Sequence, residues 1–207
     1  VAASGGAGPP GVGGRLSHAV RASGRSSTGS WYEAVMKQLR QSWALPCGVD
    51  RFWEIFFDEA YSRALYLEGL QFKGYRVISL EETSRKLHLS PKLNVPGPIA
   101  KLIGDSFAYE QHGSFDRAAG LFTWRMVQPG DVKGKPGAVT SSGTIRVTAD
   151  GADRCTRTDE VTVSASVFGL AGMIESAMEK ELKSSWDSEI AFFKRWVAEH
   201  RESSLAR

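Results

Sequence analysis

The segment from 50 to 70, DRFWEIFFDEAYSRALYLEGL, places acidic residues directly among aromatic ones. Glu54 and Asp58 are four positions apart, so on a helix both lie on one face, about 6 Å apart at Cβ. Two such carboxylates can act as general acid and base when an apolar pocket raises the pKa of one of them. Arg51 and Arg63 supply opposite charges nearby, however, and the aromatic residues occupy other positions around the turn. We therefore expect a solvated or ion-paired face, and the sequence nominates no catalytic residue.

Histidine and cysteine have no spacing that is typical of a metal site or of a nucleophile. No HxxxH, CxxC or GxSxG pattern occurs, and the candidates are far apart in the chain. We expect no metal and no cofactor, and we expect the cysteines to be free or buried thiols. The residues concerned are His18, His88, His112, His200, Cys47 and Cys155.

The net charge of +3 comes from the beginning of the chain. Arg15, Arg21 and Arg25 lie in a region without acids, and the other 23 basic residues balance the 23 acidic ones. A neutral body lacks the basic surface that nucleic acid requires, so we expect no nucleic-acid partner. No apolar run reaches the ~20 residues of a membrane span, so any membrane contact is expected to be peripheral.

Residues 1–30 contain eight glycines and no apolar periodicity. Such a segment buries too little surface to offset its chain entropy, and we expect it to be disordered. Its arginines, its serines and its lack of acids are also typical of an organellar transit peptide. We interpret it as a disordered tail or a targeting remnant, which could also contact a protein partner, and 31–207 as one domain. The compartment is unknown; the cysteine usage indicates a reducing intracellular one, which would be a mitochondrion or plastid if the tail is a remnant.

Regular patterns begin after residue 31. Alternation through EAVMKQLRQSWAL predicts a first strand, and Asp50 is a plausible N-cap for a helix that begins at Arg51. Six further strands are predicted from alternating apolar residues separated by Gly, Asp and Pro, which favours an antiparallel meander. These strands are YRVISLEE, RKLHLSPKLN, SFAYEQHGSF, LFTWRMVQP, GTIRVTAD and DEVTVSASV.

Two further segments are predicted to be helical. VPGPIAKLIGD, at 95–105, has the pattern of a short helix that follows Pro98. The segment from 168 to 200 repeats apolar residues every three or four positions, which predicts one amphipathic helix of about eight turns.

This order of elements resembles the START-like, or SRPBCC, superfamily, which shares the Bet v 1-like helix-grip fold. The segments FWEIFFDEAYSRALYLEGL, PGPIAKLIGDSFAYEQHGSFD and FGLAGMIESAMEKEL are similar to an uncharacterised branch known mostly from actinobacterial proteins. They also distantly resemble VASt-type sterol-binding domains. The resemblance covers 31–200 and implies an α+β domain, in which a curved antiparallel sheet of about seven strands wraps around a long C-terminal helix. It further implies an internal apolar cavity.

From this resemblance we expect binding of a hydrophobic ligand, such as a lipid or sterol, without its transformation, and with 95–105 as a lid. A few convergent polar groups orient an apolar ligand in such cavities, and Lys37, Gln41 and Arg85 are the candidates. Two alternatives stay open: a cyclase- or aromatase-like enzyme that uses Lys37, Arg85 or a pocket carboxylate, and an interaction subunit whose cavity is filled by its own side chains. The expected lining residues are Leu87, Leu89, Phe122, Trp124, Met126, Ile145, Val147, Val163, Met173, Ile174 and Ala177.

Overall fold

In a computed structural model, the described residues of the protein include one eight-stranded antiparallel sheet and the helices Val49–Phe57, Glu59–Ala64 and Ala171–Glu199. The structure describes residues 18–25, 31–92, 107–128, 139–165 and 171–200, together with Gly97. The strands are β1 (His18–Arg25), β2 (Trp31–Leu45), β3 (Gly74–Leu80), β4 (Ser84–Ser90), β5 (Tyr109–Asp116), β6 (Leu121–Val127), β7 (Val139–Ala149) and β8 (Cys155–Ala165).

The sheet has the order β1-β2-β8-β7-β6-β5-β4-β3, and each neighbouring pair is antiparallel. Strands β3 to β8 follow one another as a meander because a short turn joins most of them. Gly120 adopts φ +56° in the β5–β6 turn, a conformation that glycine reaches without strain. The first strand of the predicted domain, β2, pairs with the last, β8, which leaves β3 at one edge.

The helices cover one face of this sheet. Helix α1 (Val49–Phe57) is followed by α2 (Glu59–Ala64), which continues into a π-helical turn, Leu65–Gly69. Helix α3 (Ala171–Glu199) is the long C-terminal helix. The predicted N-cap at Asp50 is wrong by two residues: α1 begins at Val49 after Gly48, whose extended backbone occupies the N-cap position.

The architecture confirms the predicted fold class, an α+β helix-grip fold with a curved antiparallel sheet and a long C-terminal helix. The six meander strands lie where alternation predicted them, within a few residues at each end. The predicted helix and lid at 95–105 lie outside the described residues, except for Gly97.

One strand was not expected. Within the segment predicted to be disordered, His18–Arg25 form β1 and pair with the first half of β2. The segment has no apolar alternation, and an edge strand needs none, because its backbone hydrogen bonds to β2 are available to any sequence. The division into a tail at 1–30 and a domain at 31–207 stays a prediction.

The core lies between the covered face of the sheet and the helices. Its largest cluster is aromatic and joins α1, α2 and α3 to β5 and β6; its aromatic members include Phe52, Trp53, Phe56, Phe115, Phe122 and Phe193. Cys47 and Cys155 belong to this cluster as free, buried thiols. A hydrogen bond from Cys155 lowers the pKa of Cys47.

Candidate functional site

The strand registers sort the inner face of the sheet into four rows that run across the strands. Residues opposite one another on neighbouring strands point to the same side, so each row is a set of side-chain neighbours. We name the rows after one member. The glutamine row consists of Leu87, Gln111 and Met126, continued by Ser141, Val163 and Lys37. The glycine row consists of Arg85, Gly113, Trp124, Gly143, Val161 and Leu39, and the phenylalanine row of Phe115, Phe122, Ile145, Asp159 and Gln41. The arginine row consists of Val147, Arg157 and Trp43.

The glycine row leaves space for two large rings and for the neighbouring backbone. A Cβ on Gly113 would lie 2.0 Å from Cζ of Phe122. A Cβ on Gly143 would lie 2.5 Å from the backbone oxygen of Glu160 and 3.0 Å from Cζ2 of Trp124. A larger residue would therefore displace the ring of Phe122 at the first position, and the backbone of β8 together with the ring of Trp124 at the second.

Burial changes along the inner face. In the phenylalanine row Phe115, Phe122 and Ile145 are buried under α1. In the glutamine row Gln111, Met126 and Lys37 are only half-buried, although they face inward. Half-buried Met178 and Leu182 of α3 pack on the cluster that includes Val161 and Val163 of β8. The inner face thus has an end filled by aromatic rings and an end where apolar and polar side chains stay partly accessible.

A buried ionic cluster joins β8 to α3. Arg157, which is 2% exposed, donates from Nε and Nη2 to the two carboxylate oxygens of Asp159, both at 2.7 Å. Its Nη1 donates to Glu189 of α3 at 2.6 Å. Burial raises the pKa of Asp159, and the adjacent guanidinium opposes that shift. Each charge of the cluster has a partner of opposite charge, and the contact between Arg157 and Glu189 holds α3 against β8.

Arg85 is the second buried arginine of the inner face, at 5% exposure, and its surroundings differ. Its Nη1 donates to the carbonyl oxygen of Phe56, near the C-terminus of α1, at 2.9 Å, and its Nη2 contacts Oε1 of Gln111 at 3.3 Å. The guanidinium lies 4.2 Å from the ring centre of Phe56 and 5.2 Å from that of Phe122. Its Nε is buried and has no hydrogen-bond partner. Within the described ranges, no carboxylate lies within ion-pair distance of Arg85.

A second ionic contact between the sheet and α3 lies at the half-buried end. Glu179 of α3 accepts from Lys37 of β2 and from Lys183 one turn further along the helix. Hydrogen bonds from Lys183 and Lys37 lower the pKa of Glu179. This contact fixes the first half of α3 to β2.

The structure brings together most of the residues that were predicted to line a cavity. Five of them, Phe122, Trp124, Ile145, Val147 and Val163, occupy the four rows. Leu87, also in the glutamine row, packs with Leu89 and Tyr66. Met126 and Ala177 are half-buried. Ile174 is buried, whereas Met173 is 43% exposed, which argues against a lining role for it. That these residues contact a ligand stays a prediction.

Of the polar candidates, Lys37, Gln41 and Arg85 all lie on the inner face, as expected. Arg157, Asp159 and Glu189 were missed. The signal was present in β8: the parity that turns Val161 and Val163 inward also turns Asp159 and Arg157 inward.

Glu54 and Asp58, the two carboxylates of the 50–70 segment, lie on the solvent-exposed side of the helices. Glu54 is exposed and pairs with Arg51 at 3.0 Å. Asp58 is exposed and caps α2 by accepting from the backbone N–H of Tyr61 at 2.6 Å. Both residues therefore have structural contacts away from the inner face.

Neither a metal-binding cluster nor a membrane-spanning helix occurs among the described residues. No group of three or more His, Cys, Asp or Glu side chains there is arranged to hold a metal ion. No helix of the described chain has both the length and the apolar character that a membrane crossing needs.

Comparison with protein families places the chain. Residues 40–197 match the model of a family described as protein of unknown function (DUF2505). The chain belongs to this family. The matched range begins within β2 and ends near the end of α3, so in this DUF2505 protein it includes part of β2, strands β3 to β8, helices α1 and α2, and most of α3. No match was found among curated proteins.

Solved structures with the same architecture confirm the helix-grip fold for this DUF2505 protein. The Zhui aromatase/cyclase from Streptomyces sp. R1128 has a TM-score of 0.57 at 12% identity, covering 78% of this chain and 96% of that one. A norcoclaurine synthase point mutant from Thalictrum flavum has a TM-score of 0.58 at 16% identity, covering 82% and 98%. A protein from Thermus thermophilus has a TM-score of 0.55 at 12% identity, covering 78% and 97%. At these identities the likeness establishes the fold alone.

Proposed function

We propose that this DUF2505 protein binds a hydrophobic small molecule, such as a lipid or sterol, between the glutamine row of the sheet and the first half of α3, and releases it unchanged. The observation that carries the proposal is the half-burial of inward-facing Met126 and Trp124 in the middle of the sheet. Side chains at the centre of a sheet face are normally covered in a solid core. Their partial exposure, opposite half-buried Met178 and Leu182, supports a space that an apolar molecule could fill.

The side chains of this region suit such a role. Met126 and Met178 have flexible, polarisable side chains that adapt to different shapes. Trp124 offers a flat apolar surface, held in place over Gly143. Gln111 and Lys37 lie in the glutamine row on either side of Met126, and either side chain could orient a polar group of the ligand.

Binding is favoured over catalysis because the inner-face charges that could act as acid or base are already engaged. Asp159 and Glu189 accept hydrogen bonds from Arg157, and Glu179 accepts from two lysines. The alternatives remain testable in the same protein. An aromatase/cyclase occurs among the solved structures of this fold, and the filled aromatic end would suit an interaction subunit.

The experiment pairs binding with stability in one set of proteins. Native mass spectrometry of freshly purified protein would detect a retained ligand, and a pyrene-labelled long-chain fatty acid would quench the tryptophans of the inner face. Ala177→Trp should reduce probe binding at least tenfold with little change in melting temperature, because the new ring occupies the proposed space. Ala198→Trp, on the exposed side of the same helix, is the matched control and should change neither.

Two outcomes would contradict the proposal. Strong destabilisation by Ala177→Trp would indicate a solid core at that position and favour the interaction subunit. Unchanged probe binding in a well-folded Ala177→Trp protein would remove this helix face from the site.

A further inference from the structure

We propose that the ligand is an apolar carboxylic acid and that Arg85 binds its carboxylate; this inference rests on the proposed function. The starting point is the difference between the two buried arginines of the inner face. Arg157 has two carboxylate partners. Arg85 is almost as deeply buried, and its charge meets no carboxylate within the described part of the chain.

The two guanidinium groups differ along their Nε and Nη2 edge. In Arg157, the Nε and Nη2 edge of the guanidinium grips both oxygens of Asp159. In Arg85, the same edge has an unpartnered Nε and a long contact of 3.3 Å from Nη2 to the amide of Gln111. This edge is the one that binds a carboxylate through two parallel hydrogen bonds. Arg157 thus displays, within the same sheet, the contact that Arg85 lacks.

The remaining contacts of Arg85 hold the cation in place without neutralising it. The carbonyl oxygen of Phe56 lies in the last turn of α1, where the helix dipole favours a positive charge. The rings of Phe56 and Phe122 lie against the guanidinium. These interactions offset part of the cost of burying a cation, but an anion would offset more.

The position of Arg85 fits an acid with an apolar body. Its partner Gln111 belongs to the glutamine row, directly opposite Met126 on the next strand, and is half-buried. A ligand that lies along Met126 and Trp124 would therefore contact Gln111, and the guanidinium of Arg85 lies on the other side of the Gln111 amide. Rotation of the Gln111 amide would expose the Nε and Nη2 edge to the carboxylate of that ligand.

The test compares ligands before it compares proteins. A pyrene-labelled long-chain fatty acid and its methyl ester share the same apolar body, and only the acid carries a charge at mildly alkaline pH. Wild-type protein should bind the acid about tenfold more tightly than the ester, or better. In Arg85→Met this preference should vanish, because the affinity for the acid falls while the affinity for the ester stays unchanged. Arg85→Lys, which keeps the charge but loses the fork, should retain an intermediate preference.

The control variant is Arg125→Gln, which removes an exposed arginine from the opposite face of β6. It should leave the acid preference unchanged. Equal binding of acid and ester by wild-type protein would overturn the role of Arg85 and leave the proposed function standing. Failure of both probes to bind would overturn the proposed function, and this inference with it. Because the wild-type comparison needs no variant, misfolding of Arg85→Met cannot obscure the result.

Discussion

Arg157 and Asp159, two positions apart on β8, are joined inside the protein by two parallel hydrogen bonds of 2.7 Å. Glu189 of α3 completes the set at 2.6 Å from the same guanidinium. The pair occupies the arginine and phenylalanine rows, at the end of the inner face that the aromatic cluster fills. It therefore belongs to the part of the protein that we regard as core, and the glycine row lies between it and the glutamine row where we propose that a ligand binds.

Asp159→Ala should destabilise the protein by about 3–5 kcal/mol, because it removes one partner of a buried ion pair and leaves Arg157 with Glu189 alone. Urea unfolding would measure the loss. Glu160→Gln is the matched control: Glu160 is the next residue on the outer face, 57% exposed, and pairs with Arg40 at 3.3 Å. Its substitution should cost no more than about 1 kcal/mol. Equal effects of the two substitutions would show that the buried cluster contributes no more than a surface pair.

Glu179→Gln should lower stability at neutral pH and not in acid. The folded protein has a lowered pKa for Glu179, so the stabilisation is fully present above its ordinary value of 4.5. It is lost as the pH falls through the lowered pKa. Melting curves of both proteins across this range should converge at the acidic end, from a difference of up to about 1 kcal/mol at neutral pH. A difference that persists in acid would mean that the ion pairs with Lys37 and Lys183 are not its cause.

Glu199→Gln is the control for that measurement. Glu199 lies at the other end of α3, faces Arg195 at 3.9 Å and is 57% exposed. We expect its substitution to change the melting temperature little at any pH, because an exposed, distant pair contributes little.

Gly113→Ala should destabilise the protein by about 1–3 kcal/mol, since the added Cβ would lie 2.0 Å from the ring of Phe122. Combining it with Phe122→Leu should make the two effects less than additive, because the smaller side chain relieves the overlap. Gly172→Ala is the control, as a Cβ there meets no atom within 4 Å and Gly172 lies in α3. Denaturant unfolding of the four proteins tests this, and strict additivity would contradict the close approach.

Deletion of residues 1–30 should leave a folded domain with a melting temperature a few degrees lower. The loss is that of the β1–β2 ladder, while β2 keeps its eleven-residue pairing with β8. Deletion of 1–17 retains β1 and serves as the comparison. Loss of cooperative unfolding in the shorter protein would mean that β1 is part of the folding unit. Thermal melting followed by circular dichroism distinguishes these results.

Except for β1, the strands and helices of this fold were accessible from the sequence because each has a local pattern. Alternation in LFTWRMV and TIRVTA predicts strands, and the three- and four-residue steps from Ile174 to Val197 predict α3. The site was less accessible. Asp159 follows the inward alternation of Val161 and Val163, but a charged side chain is ordinarily expected on the protein surface. The contact with Glu189 that completes its buried ionic cluster is seen only when α3 is placed on β8. In the same way, β1 has no apolar pattern, since its pairing uses backbone groups alone.

The spacing of the two ionic contacts on α3 determines which wall of the site can move. Glu179 and Glu189 are ten residues apart, about 15 Å along the helix, and both face the side of β2 and β8. A helix held at two such points can neither slide nor rotate about its axis without breaking both contacts. Ligands of different shape would therefore be accommodated by the opposite wall, where Met126 and Gln111 form no ion pair with a helix among the described residues. In the proposed site the wall formed by α3 is held in place, and selectivity among ligands would depend on how far the wall with Met126 and Gln111 can move.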